Sequence, residues 1–337
     1  MAKTRVGVLD ALRGIAAMAV VFYHYTFMFR ARYGHSFDES LDFTIGKYGV
    51  QLFFVISGFV IFMTAERVKS GKEFLFRRFI RLYPIYWFCL LFSLVIPAAV
   101  HPGDTAPFTF QQVLLNLTMF QTAFKVPSID GVYWSLFPEL MFYAVILLLL
   151  LVKQLRNIYL WIPLWLAVSA ASGLFNLHIA DFLFRYAGLF SAGIFFYRIY
   201  NGDKKLVNHL GILACYLVVI VNESEVLNLS TFNLPILGVF LIFYGFVYHK
   251  LGFLDLAFLR FFGYISYPLY LIHQEFGYAV LLQLRSIGLT AYGWIFVPMI
   301  LSIGFAWLIA RYLEKPVLNY ARPRLEARLF PRGLKQG

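Results

Sequence analysis

The stretch LDALRGIAAMAVVFYHY, residues 9–25, is a long apolar run that contains Asp10, Arg13 and His24. A helix needs about 20 mostly apolar residues to cross a bilayer, and this run reaches that length with its apolar flanks. A charge near the bilayer centre costs about 2.5–3.5 kcal/mol on insertion scales, so charged side chains in such helices face protein or a watery cavity. The run therefore predicts a first membrane-spanning helix with a functional polar face. We expect this helix to remain in the protein rather than to be removed as a leader.

Arg13 and His24 are placed to share that face. They are eleven residues apart in the chain. Eleven residues turn an α-helix by about 1100°, so the two side chains lie about 20° out of line and about 16 Å apart along the axis. The spacing predicts two polar groups on one face of the helix, at two depths in the membrane.

The composition extends this prediction to the whole chain. Of the 337 residues, 61% are hydrophobic and 14% are charged, whereas a soluble domain has about 45–50% apolar and about 25% charged residues. The net charge of +12 comes from short loops between apolar runs rather than from one amphipathic face. It therefore indicates membrane topology rather than nucleic-acid binding. We predict an all-α polytopic integral membrane protein.

Apolar runs of spanning length predict about ten transmembrane helices. They cover residues 7–29, 48–65, 83–100, 135–152, 158–175, 179–199, 206–222, 233–250, 258–282 and 292–313. Lysines and arginines concentrate in alternate connecting segments, which predicts that both the N- and the C-terminus are cytoplasmic. We expect one transmembrane domain over residues 1–320 and a short basic cytoplasmic tail at 321–337 that is attracted to anionic lipid.

Three ionisable residues are predicted at similar depth near the outer surface: His24, Glu139 and His273. Ser266, Tyr270 and His273 also follow one another at i, i+4 and i+7, which places them on one helix face. Each histidine could instead be a core or interfacial residue bonded to a neighbouring helix. Glu139, near a helix start, could only complement the helix dipole. Their common depth favours a functional site.

A second polar layer is predicted at the cytoplasmic side, where the sequence reads FRRFIRLYPIYW. Arg78 and Arg81 are three residues apart and can point the same way on a helical turn, with Arg77 beside them. Guanidinium groups bind phosphate oxygens well, so the cluster suits an anionic ligand. The alternative is that these arginines only enforce the positive-inside rule.

Six sequence blocks, in this order, resemble the acyltransferase-3 family of bacterial membrane acyltransferases, which modify exopolysaccharides, O-antigens and related glycans. The blocks are LDALRGIAAMAVVFYH, GVQLFFVISGFVI, RRFIRLYPIYW, VYWSLFPELMFY, GYISYPLYLIHQ and YLEKP. The resemblance covers nearly the whole chain and is greatest to the exopolysaccharide O-acetyltransferase branch. It implies a multi-pass protein of the bacterial inner membrane, an acyl-CoA donor, a carbohydrate acceptor and no metal.

The resemblance also assigns roles to residues. It makes His24 the catalytic histidine and Arg13 its partner, and it associates Arg78 and Arg81, with neighbouring Arg77, with acyl-CoA. Its other blocks match Trp134, Ser135, Glu139, Ser266, Tyr270, His273, Glu314, Lys315 and Pro316. In VYWSLFPEL, Pro138 departs from the family pattern just before Glu139.

Placed on the predicted topology, the resemblance implies acyl transfer from cytoplasmic acetyl-CoA, or another acyl-CoA, to a hydroxyl group of an extracytoplasmic sugar. His24 would act as general base, with Glu139 orienting its ring; an acyl-histidine intermediate is the other chemistry that fits. Two further functions stay open on the residues alone. One is a proton-coupled sugar or anion transporter with a relay through His24, Glu139 and His273. The other is a flippase or scaffold in which the polar groups hold helices together.

Overall fold

A computed structural model describes residues 7–35, 37–101, 108–175, 177, 181–222 and 233–330. Over these ranges the chain is helical and contains no β-strand. It divides into two compact units, each built from two stretches of the chain. Unit 1 is Met1–Arg67 with Trp134–Ser266, and unit 2 is Val68–Tyr133 with Tyr267–Gly337.

Eleven helices are labelled here in chain order over the described ranges. They are α1 Gly7–Tyr33, α2 Gly49–Ala65, α3 Gly71–Val100, α4 Phe110–Thr118, α5 Leu136–Leu151, α6 Ile158–Leu174, α7 Ala187–Tyr200, α8 Leu206–Asn222, α9 Leu234–Val247, α10 Ala257–Ser286 and α11 Tyr292–Leu329. Short 3-10 turns precede several of them, including Gly131–Ser135 before α5. Helix α10 passes from unit 1 to unit 2 after Ser266.

Every predicted apolar run coincides with a helix, and six helical segments in the described ranges are long and apolar enough to cross a membrane. The all-helical, multi-pass character is therefore confirmed, while ten crossings and cytoplasmic termini stay predictions. Three helices depart from the predicted bounds by more than a few residues. In the run 179–199, whose first two residues lie outside the described residues, α7 begins at Ala187, and α11 continues beyond residue 313 to Leu329. Helix α3 begins at Gly71 rather than near residue 83, because Ser70 caps it through a bond from the Glu73 N–H to its hydroxyl oxygen. The arginine cluster consequently lies within this helix.

Unit 1 is centred on α2 and α7, whose backbones approach closely because both carry glycine at the crossing. A Cβ atom at Gly58 would overlap with the Phe190 carbonyl, and one at Gly193 would overlap with the Val55 carbonyl. Helix α2 also packs against α1 and α5. The helix that carries His24 and the helix that carries Glu139 therefore both rest on α2.

Helix α1 meets the first part of α10 in the same way. Gly14 has no room for a Cβ, which would lie 2.7 Å from the Leu259 carbonyl oxygen, and a Cβ at Gly263 would overlap with the backbone of Asp10. Small residues allow such close backbone contact between membrane helices. The glycines in the LRG and GYIS sequences are thus packing residues that fix α1 beside α10.

In unit 2, α3 holds the end of the short helix α4. The hydroxyl groups of Tyr83 and Tyr86 and the indole N–H of Trp87 donate to the carbonyls of Thr118, Asn116 and Leu117, at 2.9, 2.6 and 2.9 Å. The last carbonyls of a helix have no partner within it. The aromatic residues of the YPIYW sequence satisfy them.

Candidate functional site

His24 lies where α1 changes from α-helix to a π-helical turn over His24–Met28. Its Nδ1 is 2.9 Å from the Val20 carbonyl oxygen. A carbonyl can only accept, so Nδ1 carries the proton, and in the neutral ring the lone pair is on Nε2. The side chain is half-buried. His24 is thus fixed in one tautomer, with Nε2 as its basic atom.

Glu139 lies in the first turn of α5 and is half-buried. Its Oε1 accepts hydrogen bonds from the Tyr143 hydroxyl at 2.6 Å and from the Ser57 hydroxyl of α2 at 3.3 Å. The Nδ1 position that a triad carboxylate would occupy on His24 is taken by the Val20 carbonyl. One bond that orients the ring is therefore supplied by its own helix, and Glu139 is held by hydroxyl groups.

The other unit 1 candidates differ in accessibility. Arg13 is half-buried on α1, three turns before His24, in the unbroken α-helical part that the spacing argument requires. Trp134 is 39% exposed and lies beside Tyr186, with ring centroids 6.0 Å apart and the ring planes tilted by 38°. Ser135 beside it is buried. Trp134 is the more accessible member of this pair.

Ser266, Tyr270 and His273 lie along α10 and are buried. The Ser266 hydroxyl donates to the Gly263 carbonyl at 2.9 Å, and the Tyr270 hydroxyl donates to the Val132 carbonyl at 3.3 Å. The Nδ1 atom of His273 is 2.9 Å from the Tyr270 carbonyl oxygen and 3.1 Å from that of Leu269. All three side chains bond to backbone, which is a structural use of their polar atoms.

The arginine cluster lies on α3 in unit 2, within bonding distance of carboxylates. Arg77 pairs with Glu73 at 2.7 Å and with Glu326 at 3.2 Å. Arg81 pairs with Glu314, and its guanidinium lies 5.6 Å from the centre of the Tyr267 ring. These contacts hold the guanidinium groups in fixed positions.

Arg78 and Arg322 complete the cluster. The Arg78 guanidinium lies 5.9 Å from the centre of the Phe74 ring. Arg322, which the sequence analysis did not single out, forms an ion pair with Glu326 at 3.2 Å and interacts electrostatically with all three arginines of α3. Its signal was present as the basic sequence ARPRLEAR after the YLEKP block. Four guanidinium groups thus gather around three carboxylates, which leaves a net positive charge.

Glu314 is a matched residue of the YLEKP block, and the structure shows what it does. Its side chain is buried, its Oε1 accepts from Arg81, and its Oε2 has no hydrogen-bond partner among the described residues. A buried carboxylate oxygen without a donor is costly. The Arg81–Glu314 pair therefore offers one open acceptor inside a basic cluster.

Asp130 is a buried polar residue that the sequence analysis missed. Its two carboxylate oxygens accept from the backbone N–H groups of Val132 at 3.2 Å and of Glu275 at 3.3 Å, and the Ser93 hydroxyl lies 3.5 Å away. Burial, together with the charge of Glu275, raises the pKa of Asp130 well above its usual range. The residue joins the chain before α5 to α10, and only its place in an Asp-Gly turn signalled it in the sequence.

Within the described ranges, no group of three or more histidine, cysteine, aspartate or glutamate side chains is arranged to hold a metal ion.

Two curated proteins are similar to parts of this chain. The exopolysaccharide production protein ExoZ of Rhizobium meliloti (strain 1021) is 35% identical over 112 residues, which cover 31% of this chain and 34% of ExoZ. The peptidoglycan O-acetyltransferase OatA of Listeria monocytogenes serovar 1/2a is 28% identical over 169 residues, which cover 44% of this chain and 25% of OatA. The matches thus span about a third and a quarter of these relatives.

No solved structure matches the chain significantly. The profile of the acyltransferase domain family, by contrast, matches residues 6–311, which takes in α1 to α10 and the start of α11. Five of the six sequence blocks that carry the resemblance lie within that range, and the sixth, YLEKP, begins at Tyr312, directly after it. The chain therefore belongs to the acyltransferase-3 family of membrane acyltransferases.

Proposed function

We propose that this protein is a membrane O-acyltransferase that moves an acyl group, by default acetyl, from cytoplasmic acyl-CoA to a hydroxyl group of an extracytoplasmic sugar or polysaccharide. The family match and the similarity to ExoZ and OatA, an exopolysaccharide production protein and a peptidoglycan O-acetyltransferase, support this proposal. The proposal includes ten membrane crossings in the bacterial inner membrane, both termini in the cytoplasm, one transmembrane domain over residues 1–320 and a basic tail at 321–337.

The observation that carries the proposal is the bond from His24 Nδ1 to the Val20 carbonyl. It leaves Nε2 as the basic nitrogen of a half-buried ring. Nε2 removes the proton of the acceptor hydroxyl as its oxygen attacks the thioester carbonyl carbon. The carbon–sulfur bond then breaks, and the CoA sulfur leaves with the proton that Nε2 returns. Acylation of Nε2 itself, followed by transfer to the acceptor, is the other route that this geometry supports.

Glu139 and Arg13 act around this base in unit 1. A carboxylate stabilises the positive charge that an imidazole acquires when it takes a proton. Glu139 keeps its own position through Ser57 and Tyr143, so we assign it that electrostatic role. Arg13, on the face of α1 that also carries His24, contributes a cation that polarises the donor or holds its anionic parts.

The donor's phosphates bind to the arginine cluster of unit 2, which includes Arg77, Arg78 and Arg81. Acyl-CoA is highly anionic, and guanidinium groups form paired hydrogen bonds with phosphate oxygens. The cluster has four guanidinium groups for three carboxylates, so an added anion relieves the repulsion among them. For this reason we add Arg322 to the residues proposed to bind the acyl-CoA donor.

The acceptor side of the proposal rests on Trp134, whose exposed ring suits a sugar face. The other residues that the family resemblance assigns to the acceptor are buried, so we propose that they shape the acceptor region rather than contact the sugar. They are Ser135, Ser266, Tyr270 and His273.

The experiment that tests this function uses purified protein in liposomes with acetyl-CoA labelled in the acetyl group. CoA release and label transfer to candidate glycans are measured for the wild type, for His24→Gln and for His209→Gln. His209 is the matched control because it is a half-buried histidine on α8 whose Nδ1 is 3.2 Å from the Tyr244 hydroxyl. We expect turnover in the wild type and in His209→Gln only. Solute counterflow without thioester consumption, lost in His24→Gln, would establish the transporter function instead.

A further inference from the structure

The last eight residues of α11, Arg322–Leu329, lie against α3 in unit 2, and none of them is buried. They are called the terminal segment here. Directly after it, the ring of Phe330 lies 5.8 Å from the ring of Phe76 on α3, measured between centroids. Helix α11 has 38 residues and is therefore about 57 Å long, whereas the hydrocarbon core of a bilayer is about 30 Å thick. We therefore expect the terminal segment in water, where it is held on α3 by few apolar contacts.

Glu326 is the carboxylate that reaches from the terminal segment into the arginine cluster. Its Oε1 lies 3.2 Å from the Nε atom of Arg77 and 3.2 Å from the Nε atom of Arg322. Neither contact is a hydrogen bond, since Oε1 and both Nε atoms lack a hydrogen-bond partner among the described residues. The Glu326 side chain is also 20% exposed. Ion pairs in contact with water contribute little to stability, so Glu326 lies between two guanidinium groups without being held firmly.

The other two carboxylates of the cluster are held by hydrogen bonds. Glu314 is buried, and its Oε1 accepts from Arg81. Glu73 accepts from Nη2 of Arg77 at 2.7 Å, and its other oxygen accepts from a backbone N–H group at 2.9 Å. An anion that enters the cluster therefore displaces Glu326 before it displaces either of the others.

A phosphate group suits the position that Glu326 occupies. A phosphate presents several acceptor oxygens, so it can accept from two guanidinium groups at once, and charge-assisted bonds of this kind are strong. When Glu326 leaves, Arg77 keeps its hydrogen bond to Glu73 through Nη2, and its Nε becomes available to a phosphate oxygen. The exchange thus replaces two contacts without hydrogen bonds by two hydrogen bonds.

The helix is interrupted where the terminal segment begins. Pro316 and Pro323 lack backbone N–H groups, and a π-helical turn, Val317–Ala321, lies between them. The missing helical hydrogen bonds weaken the connection between the terminal segment and the rest of α11. The terminal segment can therefore leave α3 while the membrane-spanning part of α11 stays in place.

We propose that Glu326 is an internal competitor of the acyl donor. With no donor bound, its carboxylate occupies the position of a donor phosphate at Arg77 and Arg322. A phosphate of acyl-CoA displaces it, and the terminal segment leaves α3. The competitor role rests on the proposed function, because the displacing phosphate belongs to acyl-CoA. Its consequence is selectivity for highly charged anions, since a small anion with one charge gains nothing over Glu326.

The test combines ligand binding with the distance between two spin labels, one on α3 and one on the terminal segment. Both native cysteines are buried, so Lys72→Cys and Ala327→Cys, at exposed positions, supply the two accessible thiols. The probe is coenzyme A, which carries all the phosphates of the donor, added to the full chain in lipid nanodiscs. We expect saturating coenzyme A to lengthen the distance measured by double electron–electron resonance. Pantetheine, which has no phosphate, should leave the distance unchanged.

Three substitutions separate competition from a general effect of charge. Glu326→Gln removes the competitor, and an exposed ion pair is worth a factor of up to about five, so the Kd for coenzyme A should fall by about twofold to fivefold. In this variant the label distance should be long even without ligand. Glu314→Gln removes the same charge but leaves Glu326 in place, so its distance without ligand should stay short. Glu66→Gln is the matched control, because Glu66 lies 3.2 Å from Arg198 in unit 1, and it should behave as the wild type does.

The outcomes distinguish the competitor role from the donor site. Binding of coenzyme A with an unchanged label distance, or with an unchanged Kd in Glu326→Gln, would overturn the competitor role and leave the donor site standing. Absence of coenzyme A binding to the wild type would contradict the donor site, and the competitor role with it. If Glu314→Gln does not fold, the wild type and Glu326→Gln decide, since replacing Glu326 removes no hydrogen bond to Arg77 or Arg322.

Discussion

The two units each carry a histidine whose Nδ1 donates to a backbone carbonyl in the preceding helical turn, yet the two rings are placed differently. His24 in unit 1 is half-buried at a change of helix type, while His273 in unit 2 is fully buried in a continuous helix. The same bond fixes the same tautomer in both. Because the tautomer is the same in both, we expect the difference in burial, rather than the tautomer, to separate the proposed base His24 from His273.

The units differ in their charges as well. In unit 1, the carboxylate of Glu139 accepts hydrogen bonds from two hydroxyl groups. In unit 2, guanidinium groups of α3 and α11 lie close to carboxylates. This division leads to a kinetic expectation. Substitutions in unit 1 should change the turnover number, and substitutions in the arginine cluster of unit 2 should change the KM for the acyl donor.

Replacing His24 should have the largest effect on turnover, and it tests the proposed difference between His24 and His273 most directly. His24→Gln should lower kcat by about 100- to 10,000-fold, the usual contribution of a general base. The measurement is label transfer in liposomes, with thermal unfolding followed in parallel to show that the variant folds. A folded variant that keeps more than a tenth of wild-type turnover would remove His24 from the chemistry.

Replacing Arg78 tests the expectation that the arginine cluster of unit 2 binds the acyl donor. A charge-assisted hydrogen bond is worth about 1.5–3 kcal/mol, so Arg78→Gln should raise the donor KM by about 10- to 100-fold with little change in kcat. Arg78→Lys should recover only part of this, because an ammonium cannot bind two phosphate oxygens as a fork. Arg260→Gln, which removes a paired surface arginine of unit 1, is the control. A fall in kcat at unchanged KM would contradict the assignment.

Glu139 sharpens the comparison within unit 1. Glu139→Gln keeps an oxygen that can accept from Ser57 and Tyr143, so the helix contacts survive while the charge is lost. We expect kcat to fall by about tenfold, equal to about 1.4 kcal/mol of charge stabilisation. Steady-state kinetics with saturating donor measure it. Unchanged kcat would mean that the Glu139 carboxylate has only a structural role at the start of α5.

His273 should show the smallest effect on turnover. His273→Gln disturbs a buried bond to backbone, so we expect a loss of about 1–3 kcal/mol in unfolding free energy. Turnover per folded molecule should stay within about threefold, which is less than 1 kcal/mol in the barrier. Thermal unfolding and activity are measured on the same samples. A loss of turnover as large as that of His24→Gln would erase the difference between the two histidines.

Much of the fold was readable from local patterns. The length of each apolar run predicted a helix at each of the ten segments, and the eleven-residue spacing of Arg13 and His24 holds because α1 is α-helical up to Tyr23. The start of α3 was missed, since Ser70 and Glu73 form a cap in a stretch that is too polar to count as part of a span.

The site was less readable because its bonds join distant parts of the chain. Nothing near Arg81 indicates that Glu314 is its partner, and nothing near Asp130 indicates that its carboxylate receives the Glu275 N–H. The motif glycines Gly14 and Gly58 were visible, but their meaning depends on which backbone lies opposite. The periodicity of a sequence predicts which residues share one face of a helix, but it does not predict which part of the chain packs against that face.

The π-helical turn at His24–Met28 changes how the residues after it are rotated about the axis of α1. A π turn takes up one residue more than an α turn, so the helix beyond it lags by about 100°. Arg30 is thereby rotated by about that angle from the position it would have in an unbroken α-helix. In the observed position its Nε donates to Asp42 at 2.6 Å. Deleting one residue inside the turn would leave every charge in the sequence and rotate Arg30 away from that carboxylate. The π-helical turn therefore sets the rotation of Arg30 about the axis of α1 independently of the rotation of the α-helical part before His24.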